Sequence, residues 1–235
     1  MQFEEHGRPT KLNVAIWGPS NSGKTYLGLA LARRLGNGRA AGVDTEHGAM
    51  RLYENRHPVA SAIFDPPYNP ERFVQAIRSA EAQGFDAILL DSLSPEWDGP
   101  GGCLELHDQA VKAQRKHNSY TAWKTVTPRH EDLLGEINRT RLCVVSTLRE
   151  KVKREIVDDP DSDGEKSKVK VVGFEAVTRE NFEYEYDLVL QLDLKHQARI
   201  IKSRLISLTE GKVYPTDEAL LTKIVGAIRE EGGAA

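Results

Sequence analysis

Cysteine is scarce: the 235 residues hold two, Cys103 and Cys143. Two thiols cannot build a disulfide framework, nor a structural zinc site by themselves, and a reducing, cytoplasmic setting is expected. No run approaches the roughly 18 consecutive apolar residues that a membrane span needs, so no membrane partner is expected. Residues 1–11 are polar and charged and do not read as a signal peptide. An excess of basic charge is also missing. The 32 Lys and Arg face 35 Asp and Glu, a net charge of −3, so nucleic-acid binding would have to come from local clusters. There is no internal repeat, which excludes solenoids. The only low-complexity stretch is residues 158–165, and the tail at 230–235 is expected to fray. What remains is 39% hydrophobic and 29% charged. That composition suits a soluble globular protein, and the length suits a single domain over 1–235.

Apolar runs alternate with helical periodicity. Strands are expected at 12–17, 40–43, 61–64, 85–90 and 142–145. Helices are expected at 24–35 and 70–83, the second with Phe73, Val74, Ile77 and Ala80 on one face. Two late strands, 188–194 and 198–201, join at a tight turn near His196, and a helix over 217–229 closes the chain. This order predicts an α/β fold with a mostly parallel sheet flanked by helices and a C-terminal antiparallel extension.

Gly18-Pro19-Ser20-Asn21-Ser22-Gly23-Lys24-Thr25 completes the pattern G-x-x-x-x-G-K-[ST], between an apolar strand and a helix. Glycines let backbone N–H groups turn inward around a phosphate, and the helix offers its positive N-terminus to the same anion. The pattern assigns Lys24 to the β- and γ-phosphates and the Thr25 hydroxyl to Mg²⁺. Tyr26 follows directly and joins the candidate nucleotide contacts. The run Ala87-Ile88-Leu89-Leu90-Asp91-Ser92 is a buried strand ending in an acid, and a carboxylate there can hold Mg²⁺ through water. Glu46, at the end of Gly42-Val43-Asp44-Thr45-Glu46, is the first choice to activate water, and Asp44 the second. An ordinary solvated strand end is the plain alternative for either.

Two segments are locally basic. Residues 109–130 contain Lys112, Arg115, Lys116, Lys124 and Arg129, and Tyr120 and Trp123 lie among them. Cations with aromatic partners suit a single strand, whose phosphates need charge and whose bases stack. A solvated helix face is the alternative. Residues 148–173 read as a hairpin arm with Lys151 and Lys153 on its stem. Its turn, Asp159-Pro160-Asp161-Ser162-Asp163-Gly164, imitates the start of a calcium loop. The twelfth position is Lys170 where a bidentate Glu is needed, which argues against calcium.

The motif at 18–25, the Asp44-Thr45-Glu46-His47 strand end and the Leu89-Leu90-Asp91-Ser92 strand end resemble the RecA-type P-loop ATPase core over residues 10–215. Gly173-Phe174-Glu175-Ala176 and Glu183-Tyr184-Glu185-Tyr186-Asp187 are similar to the phage Sak-four group of single-strand annealing and recombination ATPases. The resemblance implies a RecA-like fold, ATP and Mg²⁺ as cofactors, and DNA-stimulated ATP hydrolysis with Glu46 as general base. It implies that the Ser146-Thr147 strand end senses the γ-phosphate, which puts Thr147 among the nucleotide contacts. It also implies that Lys202 and Arg204, two apart on a late strand, reach a neighbouring subunit's γ-phosphate. Single-stranded DNA, a second copy of the chain and a single-strand-binding protein are the implied partners. Two rivals stay open: a P-loop kinase of a small molecule, and a non-catalytic nucleotide switch that holds a protein partner.

Overall fold

The computed structural model describes residues 11–114, 118–158 and 167–232. Among the described residues nine strands form the sheet system: β1 (Asn13–Gly18), β2 (Ala40–Asp44), β3 (Ala60–Ile63), β4 (Ala87–Asp91), β5 (Cys143–Asp158), β6 (Ser167–Ala176), β7 (Leu188–Leu192), β8 (Gln197–Ser203) and β9 (Val213–Pro215). The spatial order is β3-β2-β4-β5-β1-β7-β8-β9, with β6 pairing β5 off this path. From β3 to β7 every pairing along this path is parallel, and β8 and β9 add the antiparallel extension. The expected fold class is the one found.

Alternation along β1 explains why the sheet is covered on both faces. Val14 and Ile16 face one core, where Leu27 and Leu31 of helix α1 (Lys24–Leu35) meet Ile224 of α6 (Glu218–Gly232). Ala15 and Trp17 face the other, where Phe73 and Ile77 of α2 (Pro70–Ala82) meet Leu133 and Ile137 of α5 (Ser119–Arg139). Residues two apart on a strand share a face, so a continuous apolar run supplies two cores. Helix α2 starts where its sequence signals it. The Asn69 side chain accepts from the Arg72 N–H, and Pro70 occupies the first turn, where its missing donor costs nothing.

The largest departure from expectation is β5. The apolar pattern predicts a short strand at 142–145, but the strand runs on to Asp158. Its first part lies between β1 and β4, where the last pairs are Gly18↔Arg149 and Leu90↔Ser146. From Glu150 onward it pairs only with β6, so the arm is a direct continuation of a core strand. The hairpin arm expected at 148–173 is thus present as β5 and β6, and what the apolar pattern does not show is that its first strand continues the core strand, because the projecting ribbon has no apolar run to link it to 142–145. The calcium-like turn at 159–164 lies outside the described residues. Three further elements had no strong sequence signal: α3 (Ser94–Asp98), α4 (Cys103–Ala113) and the short β9. Helix α5 also lacks a clear signal, because Pro128 interrupts its pattern.

Candidate nucleotide site and aromatic groove

The loop between β1 and α1 turns on two glycines. Gly23 has φ 90°, a left-handed value that L side chains resist, and it stands at the N-terminus of α1. A Cβ on Gly18 would come within 2.5 Å of the Leu192 carbonyl oxygen, so β7 can lie against the loop only if residue 18 has no side chain. Lys24 curls over the turn, its Nζ donating to the carbonyls of Gly18 (2.9 Å) and Pro19 (2.7 Å). Burial pulls its pKa below the usual lysine range, while the Asp91, Glu46 and Glu150 carboxylates oppose that change.

A cleft of about 700 Å³ opens over this loop. Gly18, Ser20, Asn21, Gly23, Lys24, Thr25 and Tyr26 line it, as the motif leads one to expect. Pro19 and Ser22 do not reach its wall; Ser22 is wholly buried. Glu46 and Asp91 enter from the adjacent ends of β2 and β4, whose last paired residues are Asp44 and Asp91. Thr45 ties these ends together: its hydroxyl accepts from the Ser92 N–H (2.8 Å) and donates to the Ser92 carbonyl (2.9 Å).

The two candidate bases separate clearly. Asp44 is buried, and its carboxylate oxygens accept from the backbone N–H groups of Glu46 (2.8 Å) and Met50 (3.0 Å). It shapes the turn that presents Glu46, and it does not line the cleft. Glu46 is exposed on the cleft wall. Geometry therefore favours the first choice.

Asp91 is 2% exposed, and burial pushes its carboxyl up to about 6 against the stabilising hydroxyls of Thr147 and Thr25. Thr147 donates to its Oδ1. Its Oδ2 is buried with no hydrogen-bond partner among the described residues. A carboxylate oxygen left bare at a strand end beside a threonine hydroxyl is the donor set a hydrated Mg²⁺ would use, so Thr25 and Asp91 fit that ion.

The structure corrects the expectation for Thr147. In place of a contact with the γ-phosphate, Thr147 is fully buried, lies outside the cleft lining and holds Asp91. Its register opposite Ile16 in β1 places it inside the sheet. Motif reading missed several contributors to the cleft, among them two charged side chains and a histidine. Arg149 and Glu150 enter from the root of the arm, and His196 enters from the turn between β7 and β8, its Nδ1 3.2 Å from the Ser22 carbonyl. Burial raises the Glu150 pKa, and Lys24 opposes that rise. Arg149 also pairs with Asp98 at 2.6 Å. Only the long β5 could have signalled the first two.

Lys202 and Arg204 lie at the far end of β8, which runs antiparallel to β7 and leads away from the phosphate loop. Lys202 donates to the Glu183 carbonyl, and Arg204 pairs with Asp187 at 2.8 Å and donates to the Tyr184 carbonyl at 3.0 Å. Arg204 lies just past the last residue of the strand, so the shared-face argument does not extend to it. Within one chain this pair braces the segment 183–187 and does not meet the cleft.

The basic segments resolve unevenly. Arg115 and Lys116 lie outside the described residues. Lys112 is exposed on α4, and Lys151 and Lys153 are exposed on β5, with Lys151 3.3 Å from Glu175. Arg129 is committed to Glu71, whose Oε2 accepts from Nη2 at 2.8 Å. Trp123 is half-buried. It stacks on Trp97 (centroids 5.7 Å apart, 10° between planes) and on His107 (4.3 Å, 25°). Trp97 and Trp123 line a groove of about 500 Å³ together with Lys151 and Arg179. Sequence reading did not single out Trp97 or Arg179, because neither lies in a basic cluster.

No helix among the described residues is long and apolar enough to cross a membrane. No curated protein sequence matches the chain. Among solved structures it is similar to the flagellar accessory protein FlaH from Methanocaldococcus jannaschii, at 10% identity and a TM-score of 0.38, covering 90% of this chain and 87% of that one. It is also similar to a second solved structure, an ATPase domain, at 13% identity and a TM-score of 0.43, covering 88% of this chain and 81% of that one. At these values neither likeness carries an argument about activity. The sequence comparison is decisive for the family. Residues 10–217 match the AAA domain family, the whole span of the sheet. The chain belongs to that family, with the fold of a RecA-like P-loop ATPase.

Proposed function

We propose that the chain hydrolyses ATP and that single-stranded DNA stimulates the reaction, in recombination or annealing of the phage type. The observation that carries the hydrolytic part is the convergence of Lys24, Thr25, Glu46 and Asp91 on one cleft, from three separate strand ends. In this reading the loop amides and Lys24 hold the phosphates, and Thr25 and Asp91 hold Mg²⁺. Glu46 orients and deprotonates the attacking water. Magnesium, when bound, supplies positive charge to the β- and γ-phosphates.

The DNA part rests on the Trp97–Trp123 pair beside Lys151 and Arg179, with Lys112 and Lys153 as further cations. Arg115 and Lys116 belong to the same proposal. An aromatic platform flanked by cations takes bases by stacking and phosphates by charge. Oligomer formation, with Lys202 and Arg204 facing a neighbour's nucleotide, rests on the family resemblance. So does a single-strand-binding protein as a further partner.

The experiment is ATP turnover measured with and without single-stranded DNA. Stimulation by DNA supports the proposal. Turnover that depends on a small-molecule phosphate acceptor would assign a kinase, and tight binding without turnover would assign a nucleotide switch.

A further inference from the structure

Beneath the tryptophan groove lies a cluster that the nucleotide chemistry does not use. Glu96 of α3, Cys103 at the start of α4 and His130 of α5 are 1%, 0% and 2% exposed. The Cys103 Sγ is 3.1 Å from Glu96 Oε1, and the His130 Nδ1 is 3.0 and 3.2 Å from the two Glu96 oxygens. All three ligand atoms lie within 4.8 Å of one another. Trp97 packs against the cluster, its ring edge-on to His130 at 5.5 Å.

A buried carboxylate, a thiol and an imidazole nitrogen, three groups of metal-ligand type, converge on one point. One divalent ion with a carboxylate, a thiolate and a neutral imidazole sums to zero. The dimensions also agree. Bonds of about 2.0–2.3 Å in a tetrahedral arrangement set neighbouring ligand atoms about 3.3–3.7 Å apart. The two edges that meet at Glu96 Oε1, 3.0 and 3.1 Å, need an outward swing of a few tenths of an ångström, and the edge between Sγ and Nδ1 lies within 4.8 Å.

We propose that Glu96, Cys103 and His130 form a binding site for a borderline-soft divalent transition metal, zinc by preference. The mixed sulfur, nitrogen and carboxylate set selects such an ion over magnesium, which takes oxygen ligands. The ion ties α3, α4 and α5 to one point. Its role is to hold the underside of the Trp97–Trp123 groove rigid, and it stands independent of the nucleotide reading.

The probe is Co²⁺ added to the chelator-treated, full-length protein without nucleotide. A thiolate-to-cobalt charge-transfer band in the near ultraviolet, displaced by Zn²⁺, is the expected result. Cobalt at Asp91 and Thr25 gives no such band, because no thiol is there. The band should survive in Cys143→Ser and disappear in Cys103→Ser. Should Cys103→Ser fail to fold, His130→Gln serves in its place, with the band lost or strongly weakened. Zinc should also raise the unfolding temperature of the parent by several degrees over the chelated protein. No band in the parent, or a band that follows Cys143, would overturn the proposal and leave a hydrogen-bonded Glu–His–Cys triad.

Discussion

Replacing Asp91 by asparagine separates what the carboxylate does for chemistry from what it does to the fold. The Asp91 carboxyl is held at about 6, against 3.8 for a free aspartate, chiefly by burial. A tenfold change in acidity corresponds to about 1.4 kcal/mol, so ionised Asp91 weakens the nucleotide-free protein by roughly 3 kcal/mol. The sign follows from the raised value. Below pH 3.8 the group is protonated in both states and the deficit is absent. Stability falls as pH rises from there to about 6, and the full deficit holds above it. The asparagine of Asp91→Asn carries no charge at any pH and keeps an oxygen for the Thr147 hydroxyl. Its amide must find an acceptor where Oδ2 now has no partner, which returns about 1–2 kcal/mol of the gain. The variant should therefore exceed the parent by about 1–2 kcal/mol at pH 8, or roughly 2–8 °C in melting temperature for a chain of this size. The gap should narrow by about 1.4 kcal/mol on going to pH 5, where part of the parent deficit has been relieved. Urea unfolding in EDTA without nucleotide, at both pH values, measures this. A variant no more stable than the parent at pH 8, or a gap of equal size at pH 5, would refute the reasoning. ATP turnover by the same variant should be lost.

Five further outcomes are expected. Lys24→Ala should abolish measurable ATP turnover and weaken nucleotide binding while the circular-dichroism spectrum stays unchanged. Glu46→Gln should bind ATP and turn it over roughly 10²-fold more slowly. Asp44→Asn should instead lower stability to urea, by about 1–3 kcal/mol, because its carboxylate accepts two backbone N–H groups. Neutralising Lys112, Lys151 and Lys153 together should flatten the salt dependence of single-strand binding, since fewer counterions are released; a slope equal to the parent's would remove these residues from the DNA surface. Finally, a mixture of Lys24→Ala and Arg204→Ala proteins should regain part of the turnover that each lacks; full activity of Arg204→Ala alone would leave that arginine only its brace to Asp187.

The phosphate loop is legible in the sequence because its chemistry is local. Eight consecutive residues carry the glycines, the lysine and the hydroxyl, and the apolar run before them identifies the strand that holds them. The same holds for the Asp91 strand end, where a fully buried strand reads as an unbroken apolar run. Sequence narrows the base to Asp44 or Glu46, but only the fold decides that Asp44 faces backbone amides and Glu46 the cleft. Thr147 shows the same limit: its register inside the sheet turns it from the phosphate to Asp91. Arg149 and Glu150 reach the cleft because β5 continues past the core into the arm. The Trp97–Trp123 stack and the Glu96–Cys103–His130 cluster join residues 26 and 34 positions apart at their widest, on helices whose packing no local period encodes. Local backbone chemistry and burial periodicity are written along the chain. Which side chains meet across elements is set by how the helices close over the sheet, and that is a property of the tertiary structure alone.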